Sequence, residues 1–453
     1  MFKKIEIWIL YLVILFSLLF AIGFGVLVRQ ELVGSTKFGW VSKTALFLAE
    51  IPMNVKKVLA GPDRELLLKD RFSPLEGFNG TPNKEESYML LSRYDGDLGE
   101  GITELVDLTN FNVLHTWNPD IDAFNSSVDQ TEEVKYLERD ENNSRAMLIH
   151  PELTNDGGLI FNNNIPLRKI DACSNLIFQN THDRFHHAIE TDADGNIWVP
   201  SRMYPQSIDE SLVGRDLVEE GGFYDDAIAK LSPDGELLYE KSVSQIFIEN
   251  GLRYLIFSHG NIYEKDPIHL NDIQPVNSNT EYWKKGDVFL SLRNQSMIVL
   301  YRPSTNEIIW KGTGPFLHQH DIDILDKNKI SIFSNNTKNG KDNKDYVHGY
   351  NEIIIYDFET NKYSSYLKES LASYDVRTIT QGLSEILQNG DLFIEETNYG
   401  RTLYFNSDGS LKWSHYNRAN NGNVFSIGWS RILYTKNQIE NVKNFLKNKS
   451  TCP

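Results

Sequence analysis

The feature that most constrains this chain is a strand-and-turn unit that repeats through most of its length. One copy, at 286–312, reads GDVFLSLRNQSMIVLYRPSTNEIIWKG, and another, at 389–415, reads NGDLFIEETNYGRTLYFNSDGSLKWSH. Both place Gly-Asp before a strand, then a turn, a second strand, another turn and a third strand that carries a tryptophan. Looser copies bring the total to six units; they occupy residues 88–117, 157–179, 195–242 and 329–367.

A further short strand precedes the turn of each unit, as in HAIETDADG at 187–195, which gives four strands per unit. Four-stranded units arranged around an axis form a β-propeller, a fold that leaves only short, protected sheet edges. A two-sheet sandwich is the alternative, but it does not require such regular repeats. We predict an all-β fold with a six-bladed β-propeller over 88–434, closed by a strand from 424–434. Residues 435–453 then form a helix at 436–448 and a tail.

The N-terminus carries an uncharged apolar run at 7–28, IWILYLVILFSLLFAIGFGVLV. At about 1.5 Å per residue, a helix of this length crosses a hydrocarbon core of about 30 Å. Lys3 and Lys4 precede the run, and Trp8 and Tyr11 suit a membrane interface. A cleaved signal peptide is the alternative, although its apolar region is usually shorter. We predict an uncleaved transmembrane helix, with residues 1–6 in the cytoplasm and the propeller on the periplasmic or extracellular side.

Residues 29–87 read as a juxtamembrane segment, with helical spacing at 41–59 and a Pro-, Gly- and Asn-rich linker at 62–87. The net charge of −17 argues against a nucleic-acid partner, which requires clustered Lys and Arg. Cys173 and Cys452 are the only cysteines. They can pair in an oxidising compartment, but their separation leaves the pairing open.

Histidines recur at one position of the repeat. His150 and His187 each lie eight residues before a turn glycine, and His320 lies eight before Asn328. His269 opens the corresponding strand of the fourth unit. A single histidine near a strand is most often structural, but equivalent positions on innermost strands converge on the propeller axis. The recurrence therefore predicts a shared site.

Arg293 ends the strand DVFLSLR in the same unit as His269. A guanidinium beside imidazoles repels a metal ion, but it suits an oxyanion such as sulfate or phosphate, which it grips with two hydrogen bonds. A surface salt bridge is the plain alternative for this arginine.

Four segments, taken in order, resemble the arylsulfotransferase family of phosphoadenosine-phosphosulfate-independent enzymes: HHAIETDADGNIW, DPIHLNDIQPV, GDVFLSLRNQSMIVLYRPSTNEIIW and FLHQHDIDIL. The resemblance spans roughly residues 88–417. It implies a six-bladed propeller that moves a sulfuryl group from an aryl sulfate ester to a phenol by ping-pong chemistry through a sulfo-histidine.

The resemblance also implies residue roles. His320, in the Gln-His-Asp run, is the expected nucleophile, with His269 and His187 as catalytic histidines and Arg293 as the clamp on the sulfuryl oxygens. Further substrate contacts are expected from Asn271, His186 and His318. A neutral imidazole is a competent nucleophile near neutral pH, so we expect no metal and no organic cofactor.

Two other functions stay open from the residues alone. One is a non-catalytic, membrane-tethered propeller for binding or scaffolding, and the other is a metal site built from the histidines. Soluble relatives carry an N-terminal β-domain that helps them dimerise; since this chain has an apolar helix instead, its oligomeric state is not predicted. The enzyme hypothesis requires the site histidines and Arg293 to converge at one mouth of the axis.

Overall fold

The computed structural model describes residues 6–32, 36–59, 66–129, 131, 134, 136–163, 165–182, 184–209, 223–257, 265–340 and 344–448. The chain forms two compact units. One comprises residues 1–61 and 209–223, and the other comprises residues 62–208 and 224–453.

The first unit contains two helices, α1 (Ile7–Leu32) and α2 (Trp40–Leu59), with a 3₁₀ turn at Thr36–Phe38 between them. The stretch Ile7–Glu31 is long and apolar enough to cross a membrane. The helix continues past the predicted end at 28 through a polar last turn that includes Arg29 and Glu31. This helix fits a single-pass anchor or a signal sequence.

The second unit is a six-bladed β-propeller, as predicted. Two short strands, β1 (Leu67–Leu68) and β2 (Gly77–Gly80), precede blade 1, which contains β3 (Tyr88–Asp95), β4 (Glu100–Asp107) and β5 (Asn112–Trp117); blade 2 contains β6 (Ile149–Leu153), β7 (Leu159–Asn162), β8 (Leu167–Ile170) and β9 (Leu176–Asn180). Blade 3 contains β10 (Arg184–Phe185), β11 (Glu190–Thr191), β12 (Ile197–Arg202), β13 (Asp226–Leu231) and β14 (Leu237–Ser242), and blade 4 contains β15 (Leu270–Pro275), β16 (Val288–Leu292), β17 (Met297–Arg302) and β18 (Glu307–Thr313). Blade 5 contains β19 (Ile322–Asp326), β20 (Lys329–Ser334), β23 (Glu352–Asp357) and β24 (Lys362–Tyr366), with a separate hairpin of β21 (Thr337–Asn339) and β22 (Asp345–Val347); blade 6 contains β25 (Leu383–Ile386), β26 (Leu392–Glu396), β27 (Arg401–Phe405) and β28 (Leu411–Tyr416), and β29 (Val424–Phe425) and β30 (Arg431–Leu433) follow it.

Short helices and one more 3₁₀ turn connect or follow these strands. They are α3 (Ile121–Ser126), α4 (Leu137–Asp140), α5 (Val243–Glu249), α6 (Tyr254–Phe257), α7 (Lys368–Ser373), the 3₁₀ turn Thr397–Tyr399 and α8 (Lys436–Asn448). The last of these matches the predicted terminal helix.

Sequence pattern explains which strand lies where in a blade. Strand β16 reads VFLSL and is buried at every position, as expected for a strand covered on both faces. Strand β18 reads EIIWKGT and carries exposed or half-buried residues at nearly every position, so it forms the outer edge of blade 4. Apolar clusters pack between neighbouring blades and hold the ring together.

The ring closes as predicted, through the C-terminal segment. Strand β30 pairs antiparallel with β3, with Leu433 opposite Tyr88 and Arg431 opposite Leu90. Residues 62–87, predicted as a linker, also contribute: β2 adds an outer strand to blade 6 by pairing with β28, and β1 pairs with β29.

Buried carboxylates fix the start of several inner strands. Asp226 Oδ2 accepts from Leu270 N at 2.7 Å, and Asp272 Oδ2 accepts from Ile322 N at 3.1 Å. Asp321 Oδ2 accepts from Ser384 N at 3.0 Å. Since a buried backbone N–H needs an acceptor, these contacts hold blades 4, 5 and 6 each to the preceding blade.

Cys173 is disulfide-bonded. Cys452, the only other cysteine in the sequence, lies outside the described residues.

Candidate functional site

Each blade places one residue with a left-handed backbone at or just before its inner strand. These are His150, His187, His269, His318, Gln381 and Trp429, with φ between 44° and 61°. Such a backbone is uncommon for a residue other than glycine, costs of order 1–3 kcal/mol, and concentrates at functional sites. The sequence spacing found three of the six; in blade 5 the left-handed residue is His318, two positions before the predicted His320.

Side chains from blades 3, 4 and 5 meet where the inner strands of the propeller begin. The His187 ring centroid lies 5.2 Å from that of His269 and 6.1 Å from that of His320. Trp429, from the closing segment, lies 5.9 Å from His187 and 6.3 Å from His320. Residues that are more than 100 positions apart in sequence thus form one group, which we call the histidine cluster: His187, His269 and His320.

His320 is held in a single tautomer. The Asn335 amide nitrogen donates to the carbonyls of Thr378 (3.2 Å) and Gln381 (2.7 Å), so Asn335 Oδ1 is the acceptor for His320 Nδ1–H at 2.7 Å. Gln381 N donates to His320 Nε2 at 2.9 Å. Burial and then the charge of Arg293 hold the pKa of His320 well below its ordinary value, so the ring is neutral at neutral pH.

His187 has one engaged nitrogen. Its Nδ1 lies 2.7 Å from His186 Nδ1, and no partner among the described residues contacts its Nε2. Burial, followed by the neighbouring imidazoles and Arg202, lowers the pKa of His187 well below its ordinary value. This ring too is neutral at neutral pH.

His269 and Arg293 are neighbours across the β15–β16 pair. Arg293 N donates to the His269 carbonyl at 3.0 Å, and His269 Nδ1 lies 2.5 Å from Asp266 Oδ2. Arg293 is mostly buried, and its Nη1 donates to Asn294 Oδ1 at 3.0 Å. Its Nε has no hydrogen-bond partner within the described ranges, which leaves a buried donor beside the histidines.

A cavity of about 580 Å³ opens at this mouth of the ring. His187, Gln381 and Trp429 line it on the axial side, and Leu66, Met147 and Ile149 supply apolar surface. Its volume is in the range of pockets for small organic ligands. Lys69, Arg145, Asp140 and Glu141 give its rim mixed charge.

The other predicted contacts lie in the wall of the site. Asn271 is fully buried, and its side chain donates to the Gln319 carbonyl at 3.2 Å. His186 is buried behind His187, with 4% of its surface exposed. His318 is half-buried, with an Nδ1 that has no hydrogen-bond partner among described residues.

Sequence reasoning missed Trp429, Gln381 and Asn335. Trp429 stands two residues before β30, where the equivalent residue of blades 2 to 5 is histidine, so aligning the closing strand with the repeats would have found it. Gln381 acts through its backbone N–H, and no residue type signals that.

Over the described part of the chain, no group of three or more His, Cys, Asp or Glu side chains has a geometry that would hold a metal ion.

The profile of the family described as arylsulfotransferase (ASST) matches residues 150–418 of this chain. The matched range runs from the inner strand of blade 2 to just past the outer strand of blade 6. It therefore contains every residue of the histidine cluster and Arg293. No curated protein matches the chain.

The solved structures that match this chain are distant in sequence. A protein of unknown function from Bacteroides caccae has 12% identity and a TM-score of 0.42, over 73% of this chain and 93% of that one. The Pan2 WD40 domain of Neurospora crassa has 8% identity and a TM-score of 0.40, over 82% and 90%. Virginiamycin B lyase from Staphylococcus aureus has 11% identity and a TM-score of 0.31, over 60% and 71%.

Proposed function

Because this chain belongs to the arylsulfotransferase family, we propose that it moves a sulfuryl group from an aryl sulfate ester to a phenolic acceptor, without phosphoadenosine phosphosulfate, by a ping-pong reaction through a sulfo-histidine. The observation that carries the proposal is the meeting of three histidine rings, two of them held neutral, beside Arg293 and a cavity of about 580 Å³.

In the first half-reaction His320 Nε2 attacks the sulfur of the donor. The sulfur–oxygen ester bond breaks, its electron pair goes to the phenolate oxygen, and a proton from His269 completes the departing phenol. The Arg293 guanidinium offsets negative charge on the sulfuryl oxygens, and its buried, unpaired Nε is available to donate to one of them. Asp266 Oδ2, at 2.5 Å from His269 Nδ1, orients that imidazole.

The attack requires a local rearrangement, because Gln381 N–H occupies the His320 Nε2 lone pair. Its hydrogen bond must be exchanged for the nitrogen–sulfur bond. His187 Nε2 needs no such change, so His187 is the alternative carrier of the sulfuryl group. In the second half-reaction the acceptor phenol loses its proton, its oxygen attacks sulfur, and the electron pair of the nitrogen–sulfur bond returns to the imidazole.

The propeller is proposed to lie on the extracytoplasmic side of a membrane, with α1 as an uncleaved anchor. Two observations support this: α1 is apolar and uncharged from Ile7 to Val28, and Cys173 forms a disulfide. Disulfides persist mainly in oxidising compartments, which makes a cytoplasmic propeller the less favoured arrangement.

The function is tested with the full chain in detergent, a nitrophenyl sulfate donor and a phenol acceptor. We expect donor-dependent transfer, and in the absence of acceptor one added sulfuryl mass per chain. His320→Ala is expected to lose the adduct and at least about 10³-fold of the transfer rate, because removal of a nucleophile leaves only the remaining site.

His182→Ala is the matched control, since His182 lies between β9 and β10, outside the histidine cluster, with 56% of its side chain exposed. It should retain both adduct and transfer. A wild-type chain that neither gains the mass nor transfers sulfate would refute the proposed function. An adduct that survives in His320→Ala but disappears in His187→Ala would move the nucleophile to His187.

A further inference from the structure

Three side chains form a line from the wall of blade 3 to the cavity. Asp226, which is fully buried, has its Oδ1 at 3.6 Å from His186 Nε2. His186 Nδ1 lies 2.7 Å from His187 Nδ1. His187 in turn lines the cavity. The line thus joins a buried carboxylate to the site through two imidazoles.

The hydrogen positions along this line follow from the partners. The Asp226 carboxylate is an acceptor: its Oδ2 accepts from Leu270 N at 2.7 Å, and its Oδ1 accepts from Arg202 Nε at 3.2 Å. His186 Nε2 is buried and makes no hydrogen bond among the described residues, so the negative charge of the Asp226 carboxylate at 3.6 Å favours a hydrogen on that nitrogen. His186 Nδ1 is then the bare nitrogen that accepts the hydrogen of His187 Nδ1, which leaves the lone pair of His187 on Nε2.

The protonation states agree with this arrangement. Burial by itself raises the pKa of Asp226, but its interactions with His186, Arg202 and His269 outweigh burial and lower the pKa. Asp226 is therefore ionised at neutral pH. Burial lowers the pKa of His186 more than Asp226 raises it, so His186 is neutral and carries one ring hydrogen.

We propose that Asp226 and His186 are positioning residues that hold His187 as its Nδ1–H tautomer, so that Nε2 takes the proton of the acceptor phenol. The proposal rests on the proposed function. In the step, the phenol O–H bond breaks, its hydrogen binds His187 Nε2, and the freed oxygen pair forms the bond to sulfur. The positive charge on His187 is stabilised through His186 by the Asp226 carboxylate, in the manner of a carboxylate that orients a catalytic histidine.

The three rings of the histidine cluster thus have different partners. His320 uses both nitrogens, on Asn335 and Gln381, and His269 faces the Asp266 carboxylate. Only the His187 line combines a neutral intermediary with a buried carboxylate and a cavity-lining ring, and this favours a base rather than an acid at that position.

The experiment compares two acceptors during discharge of the preformed sulfo-enzyme. Phenol, with a pKa near 10 like tyrosine, needs a base, whereas a dinitrophenol is already ionised at neutral pH and needs none. Asp226→Asn and His186→Phe are expected to slow discharge to phenol about 10²-fold, the lower end for general-base catalysis. Discharge to the ionised acceptor should change by less than about threefold.

Asp226→Asn is informative because the amide still accepts from Leu270 N but offers a hydrogen to His186 Nε2, which reverses the tautomer along the line. Asp225→Asn is the matched control: this neighbouring buried carboxylate accepts from Ser207 and Ser242. It should change discharge to both acceptors by less than about threefold. If Asp226→Asn and His186→Phe slow both acceptors equally, or neither, the proposal is wrong.

A second readout does not depend on activity. Nitrogen NMR of the full chain labelled at histidine nitrogen, with His187→Gln to assign the signal, should show the Nδ1–H tautomer of His187 at neutral pH and its loss in Asp226→Asn. An Nε2–H tautomer in the wild-type chain would overturn the proposal. If the wild-type chain forms no sulfo-enzyme, the proposed function fails, and the NMR result still decides what Asp226 and His186 do to His187.

Discussion

Two groups of titratable side chains lie along the same inner strands, and burial shifts their pKa values in opposite directions. The histidine cluster lies at the start of these strands. A carboxylate cluster follows a few residues further along each strand and consists of Glu190, Asp272, Asp323 and Glu385, with Arg431 as its cation. Burial lowers the pKa of His187 and His320 and raises the pKa of Asp272, Asp323 and Glu385.

The difference shows how the inner strands of one propeller can carry both neutral imidazoles and protonated carboxylic acids. At the groups with shifted pKa values, the charged form is disfavoured because burial excludes water. At the histidine end this yields neutral imidazoles with lone pairs, which suit a nucleophile and a base. At the carboxylate end it yields protonated acids, and Arg431 offsets the charges that remain through Glu152 and Glu190, both at 3.2 Å.

The largest effect is expected from Arg431→Met, which removes the cation of the carboxylate cluster. Breaking a buried ion pair from one side typically costs about 3–5 kcal/mol of unfolding free energy. Urea unfolding of the full chain in detergent measures it. Arg431→Met leaves the Glu190 carboxylate without its cation. Adding Glu190→Gln removes that carboxylate charge and should recover part of the lost unfolding free energy. Purely additive losses would mean that charge is not the cause.

Arg377→Met is the control for that comparison, since Arg377 and Asp375 form an exposed pair with 44% and 54% of their side chains accessible. Exposed pairs contribute about 0–1 kcal/mol. A loss as large as that of Arg431→Met would remove the distinction between buried and exposed pairs.

The next effect is a pH dependence from the carboxylate cluster. Burial, only partly opposed by Arg431, raises the pKa of Glu385 to about 7. The folded state therefore holds a proton that the unfolded state releases above about pH 4.3, so this stabilisation is present at low pH and is lost as pH rises through about 7.

Glu385→Gln removes that proton and should flatten the decline of unfolding free energy between pH 5 and 8 by about 3 kcal/mol, at 1.36 kcal/mol per pKa unit. Urea unfolding across this range measures it. A decline that is unchanged in the variant would show that Glu385 is ionised in the folded chain.

The smallest effect is the opposite pH dependence from the histidine cluster. Because the folded pKa of His187 is lowered, its stabilisation is present above the unfolded pKa near 6.5 and is lost as pH falls. His187→Asn should make the decline below pH 6.5 shallower by at most one proton, or about 1.4 kcal/mol per pH unit. If the unfolding free energy of the variant declined more steeply below pH 6.5 than that of the wild-type chain, the assignment of His187 as neutral would be contradicted.

The sequence predicted the ring, its six blades and its closing strand because turn pairs and apolar runs repeat at regular intervals. It did not predict β2, since Gly77–Gly80 reads as a turn and becomes a strand only by pairing with β28. The meeting of His187 and His269 followed from their register in the repeat. In blade 5 the residue in that register is His318, and His320 reaches the cluster from two positions further along the chain. The ring-nitrogen partners did not, because Asp226, Asn335 and the Gln381 backbone reach the histidines only in three dimensions.

The central claim is that His320 carries the sulfuryl group. Its most direct test is to incubate the full chain with nitrophenyl sulfate and no acceptor, digest it at alkaline pH, and locate the sulfuryl group by tandem mass spectrometry. The account predicts the group on His320, in the peptide that contains FLHQHDIDIL. Sulfuryl attached to another residue, or to none, would contradict it.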